Sequence, residues 1–141
     1  MDLLKRLHNV DLGTFLVRLL VGVVFIYAGL MKVNNIDMVA GFFQSLGFGT
    51  FLAYFVSWAE LAGGILVLLG LFTRKAGVVL AVIMAVAMFK VHFANGFSLA
   101  TNGYEYVFVL LLASLSLVFL GSGKYSVDYL FSKLANKNSV Q

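Results

Sequence analysis

A carboxylic acid, Glu60, stands inside an apolar stretch that runs from 51 to 72. A charged side chain at the centre of a bilayer costs about 2.5–3.5 kcal/mol on insertion scales, so such an acid is paired with a cation, protonated, or turned to a polar cavity. Each of these states suits proton exchange. The groups able to meet it are the cations Lys32, Lys90 and Arg18, the imidazole of His92, and a second acid, Glu105. An imidazole beside a carboxylate is a natural proton exchanger near neutral pH, so Glu60 and His92 are the candidate catalytic pair. Lys32, Lys90, Glu105 and Arg18 are the candidate ligand-binding groups. The chain has no cysteine, which removes thiolate nucleophiles, thiolate-held metals and disulfide relays. Its two histidines, His8 and His92, fall at opposite ends of the expected topology and cannot share a metal or haem. No metal site is expected, and redox chemistry would need a borrowed cofactor.

The elements that must position these groups are helices in a membrane. The chain is 62% hydrophobic and 11% charged, without proline, and its mean hydropathy is +1.00. A span takes roughly 20 apolar residues, and four segments come near that length, at 14–33, 51–72, 76–93 and 104–121. The expected fold is all-α: one four-helix integral membrane bundle over residues 1–141, with short amphipathic interfacial helices. Thr73-Arg74-Lys75 reads as the turn between the second and third spans. The net charge of +4 is scattered over short loops, unlike the basic stripe of a nucleic-acid-binding protein, so no nucleic acid is expected. With four spans, Lys5, Arg6, Arg74, Lys75, Lys124, Lys133 and Lys137 share one side, which the positive-inside rule makes cytoplasmic along with both termini. The first apolar run is too long for a signal peptide and lacks a small-x-small site before Lys32, so it reads as a retained span.

Helical spacing then sets the faces. Arg18, Gly22, Phe25, Gly29 and Lys32 recur at intervals of three and four. Ser57, Glu60, Gly63, Gly64 and Val67 form a small and polar face, which permits close helix approach and turns Glu60 inward. Gly77, Ala81 and Ala85 repeat the device and lead through Met88 to His92, with Lys90 on the opposite side. Helical side chains lean toward their own N-terminus. Lys32, Lys90 and His92 therefore lean into the bilayer from the outer side, Glu60 and Glu105 lean outward to meet them, and Asn34, Asn95 and Asn102 lie near. Glu60 lies about 13 Å below the start of its span, which predicts a water or ligand bridging it to Lys32. Arg18 leans to the cytoplasm and reads first as a snorkelling anchor.

Amphipathic segments complete the set. Residues 2–8 suit an interfacial helix, and Asp11 is the expected N-cap of the first span. Asp37 is expected to cap a flap carrying Val39, Phe42, Phe43 and Leu46 on one side, stopped by Gly47. Ser126 is expected to cap a terminal helix with Val127, Leu130, Phe131 and Leu134 on one face. Leu30-Met31-Lys32-Val33 and Met88-Phe89-Lys90-Val91 echo one another, each before a span with one acid, which suggests two similar hairpins.

These stretches resemble the DoxX family of small four-span membrane proteins. The resemblance is carried by Arg18-Leu19-Leu20, Ala28-Gly29-Leu30-Met31-Lys32, Glu60-Leu61-Ala62-Gly63-Gly64 and Gly70-Leu71-Phe72-Thr73-Arg74. His92, Gly103-Tyr104-Glu105-Tyr106 and Gly121-Ser122-Gly123-Lys124-Tyr125-Ser126-Val127-Asp128 extend it over nearly the whole chain. It implies a bacterial or archaeal plasma-membrane protein, an oxidoreductase or a subunit of quinone-linked oxidoreductases such as thiosulfate:quinone oxidoreductase.

Three functional readings follow. In the first, a subunit of a quinone-linked oxidoreductase binds quinone between His92, Lys32 and Glu60, and a soluble or membrane redox partner brings the electrons. The second is a small-solute or proton-coupled transporter, for which a homo-oligomer would supply the room. The third is a membrane scaffold in which Glu60 pairs with a cation only to fix helix register. In all three the lipid bilayer is the surrounding partner.

Overall fold

The computed structural model describes residues 8–138. Its helices, in chain order, are α1 (Val10–Asn34), α2 (Ile36–Ser45), α3 (Thr50–Leu69), α4 (Thr73–Ala87), α5 (Glu105–Leu120) and α6 (Val127–Asn138). A π turn at Met88–His92 and a 3-10 turn at Phe93–Asn95 prolong α4, and a second 3-10 turn spans Leu99–Thr101. No strand occurs among the described residues, so the chain is an all-α membrane bundle. The interfacial helix expected over 2–8 lies, but for His8, outside the described residues.

Among the described residues, three helices are long and apolar enough to cross a membrane: Val10–Asn34, Thr50–Leu69 and Thr73–Asn95. α5 is equally apolar but has 16 residues, a rise of about 24 Å. The outward faces are apolar too, with Phe51 81% and Phe119 80% exposed. A soluble protein rarely shows continuous apolar surface, whereas lipid is a suitable solvent for it.

The inward faces follow the spacing of three and four. α1 buries Thr14, Arg18, Val21, Gly22, Phe25 and Gly29, and α3 buries Ala53, Ser57, Glu60, Gly63, Gly64 and Val67. Between these two helices glycine is required by contact. A Cβ added at Gly29 would stand 2.5 Å from the Leu61 nitrogen, and one at Gly64 2.7 Å from the Ile26 nitrogen. Backbones so close gain dispersion contacts that lipid cannot replace, which is how small residues hold membrane helices together. The remaining core is Val21, Phe25, Val67, Leu80, Met84 and Leu117 with their neighbours.

Helix ends differ from expectation in three places. The turn after α3 is Gly70–Phe72, with Gly70 (φ +72) and Phe72 (φ 50) both left-handed. Thr73-Arg74-Lys75 is therefore the first turn of α4 and not a loop. Phe72 offers no capping oxygen, but its own N–H is satisfied by the Asp128 carboxylate at 3.1 Å. Asp11 does not cap α1: Asn9 does, accepting from the Leu12 N–H at 3.0 Å, while Asp11 accepts from the Lys124 N–H and pairs with its ammonium at 3.3 Å. Asp37 lies inside the first turn of α2, where Asn35 holds the cap position without a capping side-chain bond, its Nδ2 donating instead to Met31 O at 2.8 Å. Gly47 (φ +82) follows that helix, and Ser126 Oγ accepts from the Tyr129 N–H at 3.2 Å at the start of α6.

Candidate functional site

The glycine contact between α1 and α3 sets the geometry of the site. It brings the last turn of α1 alongside the middle of α3, and Lys32, leaning back toward its own N-terminus, places Nζ 2.5 Å from Glu60 Oε2. The bridging water or ligand expected between them is not needed, because the helices approach more closely than the spacing alone implied. Glu60 is 1% exposed and Lys32 32%. The second carboxylate oxygen, Glu60 Oε1, is buried and has no hydrogen-bond partner. Unpaired buried acceptors are uncommon in native structures, and each calls for an explanation.

Glu60 and Lys32 lie in the wall of a cavity of about 580 Å³. α2 forms its roof with Met38, Val39, Phe42, Phe43 and Leu46, so the apolar side of the flap faces the cavity. Ile83, Met84 and Ala87 of α4 and Tyr106, Val107 and Leu110 of α5 close the other sides. The lining is apolar apart from a few convergent polar groups, the usual character of a small-molecule site.

Lys90 and His92 both line this cavity, although α-helical spacing puts them on opposite sides. The π turn over Met88–His92 breaks the regular register on which that expectation rests, and single π turns recur at functional sites. His92 Nδ1 lies 2.9 Å from the Asn102 carbonyl oxygen. A carbonyl oxygen can only accept, so Nδ1 carries the hydrogen and neutral His92 keeps its lone pair at Nε2. Asn102 presents that carbonyl from a left-handed backbone (φ 58), a conformation asparagine tolerates. Asn95 Nδ2 donates to the same oxygen at 3.2 Å.

Two expected members are elsewhere. Glu105 Oε2 accepts from the Leu99 N–H at 2.9 Å and ties down the loop before α5, and Glu105 is not part of the cavity wall. Lys90 and Glu105 thus do not repeat the Lys32–Glu60 pair, and the chemistry of the two hairpins is not duplicated.

Arg18 is at the other end of the bundle and does not snorkel: it is 1% exposed. Its Nε donates to Val67 O at 2.9 Å, Nη2 to Leu68 O at 2.7 Å, and Nη1 to Ser122 O at 3.0 Å and Tyr125 O at 2.6 Å. Two of those carbonyls belong to the last turn of α3, where carbonyls run short of intrahelical donors and a cation is favoured, although Val67 O also accepts from the Gly70 N–H at 3.1 Å. Gly70 is needed beside it, since a Cβ there would stand 2.5 Å from Arg18 Nη2. Arg18 therefore ties the end of α3 to the segment after α5 and does not reach Glu60.

Spacing gave no sign of Tyr106 or Met38 in the cavity wall. Both sit at helix starts, where rotation depends on how the preceding loop closes. For Tyr106 that closure is Tyr104 N–H to Gly96 O at 3.0 Å and Glu105 N–H to Phe97 O at 2.9 Å.

A family model described as DoxX matches residues 13–93, a stretch that contains Arg18, Lys32, Glu60, Lys90 and His92. Over 129 residues the chain is 34% identical to a Bacillus subtilis protein named "Putative oxidoreductase CatD", covering 91% of this chain and 94% of that one. It is 27% identical over 132 residues to "Inner membrane protein YqjF" of Escherichia coli, covering 92% and 98%. It is 33% identical over 132 residues to "Uncharacterized membrane protein Rv3486" of Mycobacterium tuberculosis, covering 84% and 81%. No solved structure matches the chain.

Proposed function

The chain belongs to the DoxX family, and from that premise we propose that it is a multi-pass subunit of a quinone-linked oxidoreductase in the bacterial plasma membrane, with its ligand site in the cavity at Glu60. The observation that carries this reading is Glu60 Oε1, a buried acceptor without a donor in the wall of an otherwise apolar cavity. A volume of about 580 Å³ falls within the range of roughly 300–1,000 Å³ usual for small-molecule sites. The relatives named as an oxidoreductase and as an inner membrane protein support the class and the location.

The residues fit a quinone head by their hydrogen-bonding roles. The Lys32 ammonium has three donors and uses one on Glu60 Oε2, so it can also donate to a ring carbonyl oxygen. Glu60 Oε1 can accept from a ring hydroxyl. The pair thus offers a donor for the oxidised form and an acceptor for the reduced form without rearrangement. A quinone, when bound, supplies a two-electron acceptor that takes up two protons on reduction. His92 Nε2 is free to exchange those protons with the outer loops, since Nδ1 is held by Asn102. The roof of α2 excludes water from the ring. Electrons come from a donor on a partner protein.

The test is to purify the protein in mild detergent and identify co-purifying small molecules by mass spectrometry, for wild type and Glu60→Gln. Glutamine replaces the free acceptor with an N–H₂ donor. Wild type is expected to retain quinone near one per chain, and Glu60→Gln to retain about tenfold less or lower, the scale of one lost charge-assisted hydrogen bond. Retention of a partner protein with no small molecule in either sample would instead favour the scaffold. Solute flux in liposomes abolished by the same substitution would favour the transporter.

A further inference from the structure

The cavity wall carries a charge that nothing in it balances. Lys32 and Glu60 neutralise each other. Lys90, an exposed residue, lines the same space at its edge, and the ion pairs among the described residues are Lys32–Glu60 and Lys124–Asp11 alone, with no hydrogen bond to the Lys90 ammonium. His92 brings no negative charge, and the other lining residues, Tyr106 included, are uncharged in their ordinary state. A cation at the edge of an apolar cavity attracts an anion more strongly than it would in water, because the interaction grows as the effective dielectric falls.

Resting on the ring-binding reading above, we propose that the natural occupant of this cavity is an acidic ring compound, a quinone-like body bearing one ionised substituent that meets Lys90. The body packs against Met38, Phe42 and Ile83, its carbonyl and hydroxyl edge meets Lys32 and Glu60, and its anionic edge lies on the Lys90 side. A ring hydroxyl conjugated to a quinone carbonyl is such a substituent, since the carbonyl stabilises its conjugate base. The same wall would bind neutral rings less well, so Lys90 is a specificity-determining residue.

Equilibrium binding of 2-hydroxy-1,4-naphthoquinone, ionised at neutral pH, is compared with that of neutral 2-methyl-1,4-naphthoquinone on the protein in nanodiscs of phosphatidylcholine. The hydroxy compound is expected to bind about tenfold more tightly, and Lys90→Gln to erase that preference by weakening the anion alone. Equal affinities in the wild type, or a preference that survives in Lys90→Gln, overturn the assignment while the ring site stands. If neither compound binds, the ring site itself is wrong. Repeating the measurement on both proteins in phosphatidylglycerol nanodiscs separates a lipid source: because the anionic surface depletes the hydroxy compound equally for both, a wild-type advantage over Lys90→Gln that is lost only there means that an anionic headgroup occupies Lys90, and the acidic ring is overturned.

Discussion

Arg18→Met is expected to destabilise the bundle by more than about 4 kcal/mol. The guanidinium serves four carbonyl oxygens, on Val67, Leu68, Ser122 and Tyr125; Val67 O keeps the Gly70 N–H as a second donor, and each acceptor left unsatisfied costs about 1–3 kcal/mol. These costs do not simply add, since the acceptors share one donor group, but among the described residues no other buried cation is present to replace it. Methionine approximates the length of the stem, which separates the loss of the head from the loss of packing. Arg18→Lys is expected to recover less than half of the stability, because an ammonium has three donors and not the planar fork of five. Unfolding by titration with SDS in mixed micelles, followed by circular dichroism, measures both. Because Arg18 lies far from the cavity, any folded fraction of Arg18→Lys is expected to keep its ligand.

Lys32→Met is expected to cost about 3–5 kcal/mol, the penalty for breaking a buried ion pair and leaving one charge uncompensated. Glu60 is 1% exposed and, among the described residues, pairs with no cation other than Lys32, Arg18 being committed at the other end of the bundle. The double variant Lys32→Met/Glu60→Met removes both charges and is expected to regain most of that stability, because a well-packed apolar pair is often as stable as the ion pair it replaces. It is also expected to lose the ligand. Stability and binding therefore part company in the double variant, which a role confined to helix register does not allow. The same SDS titration yields the coupling energy of the cycle, expected to exceed about 2 kcal/mol. A Lys32→Met penalty below about 1 kcal/mol would mean that the pair does not hold in the membrane.

Much of the framework was readable from the residues. Glu60 stood out as an acid inside an apolar run, the glycines of α1 and α3 marked the faces that meet, and the lean of helical side chains brought Lys32 toward Glu60. What spacing could not supply was set by contacts distant in the chain. Arg18 looked like an anchor because its partners are backbone carbonyls, two of them more than a hundred positions away, and carbonyls leave no mark in a sequence. Lys90 and His92 were assigned to opposite sides on α-helical register, which the π turn interrupts. Glu105 looked like a counterpart of Glu60 by position, but a nearby free N–H at Leu99 takes its carboxylate first. The spacing of the flap is amphipathic, and its apolar side faces the cavity.

The most direct measurement is photolabelling of the membrane-embedded protein with an azido-naphthoquinone, with the modified residues mapped by mass spectrometry in wild type and Glu60→Gln. The expected result is label on the cavity wall, within residues 38–48 or 83–92, falling about tenfold in Glu60→Gln. Label in the separate groove bordered by Ala59, Leu66 and Val79, or label on the cavity wall that Glu60→Gln leaves undiminished, would contradict a ligand held by the Lys32–Glu60 pair.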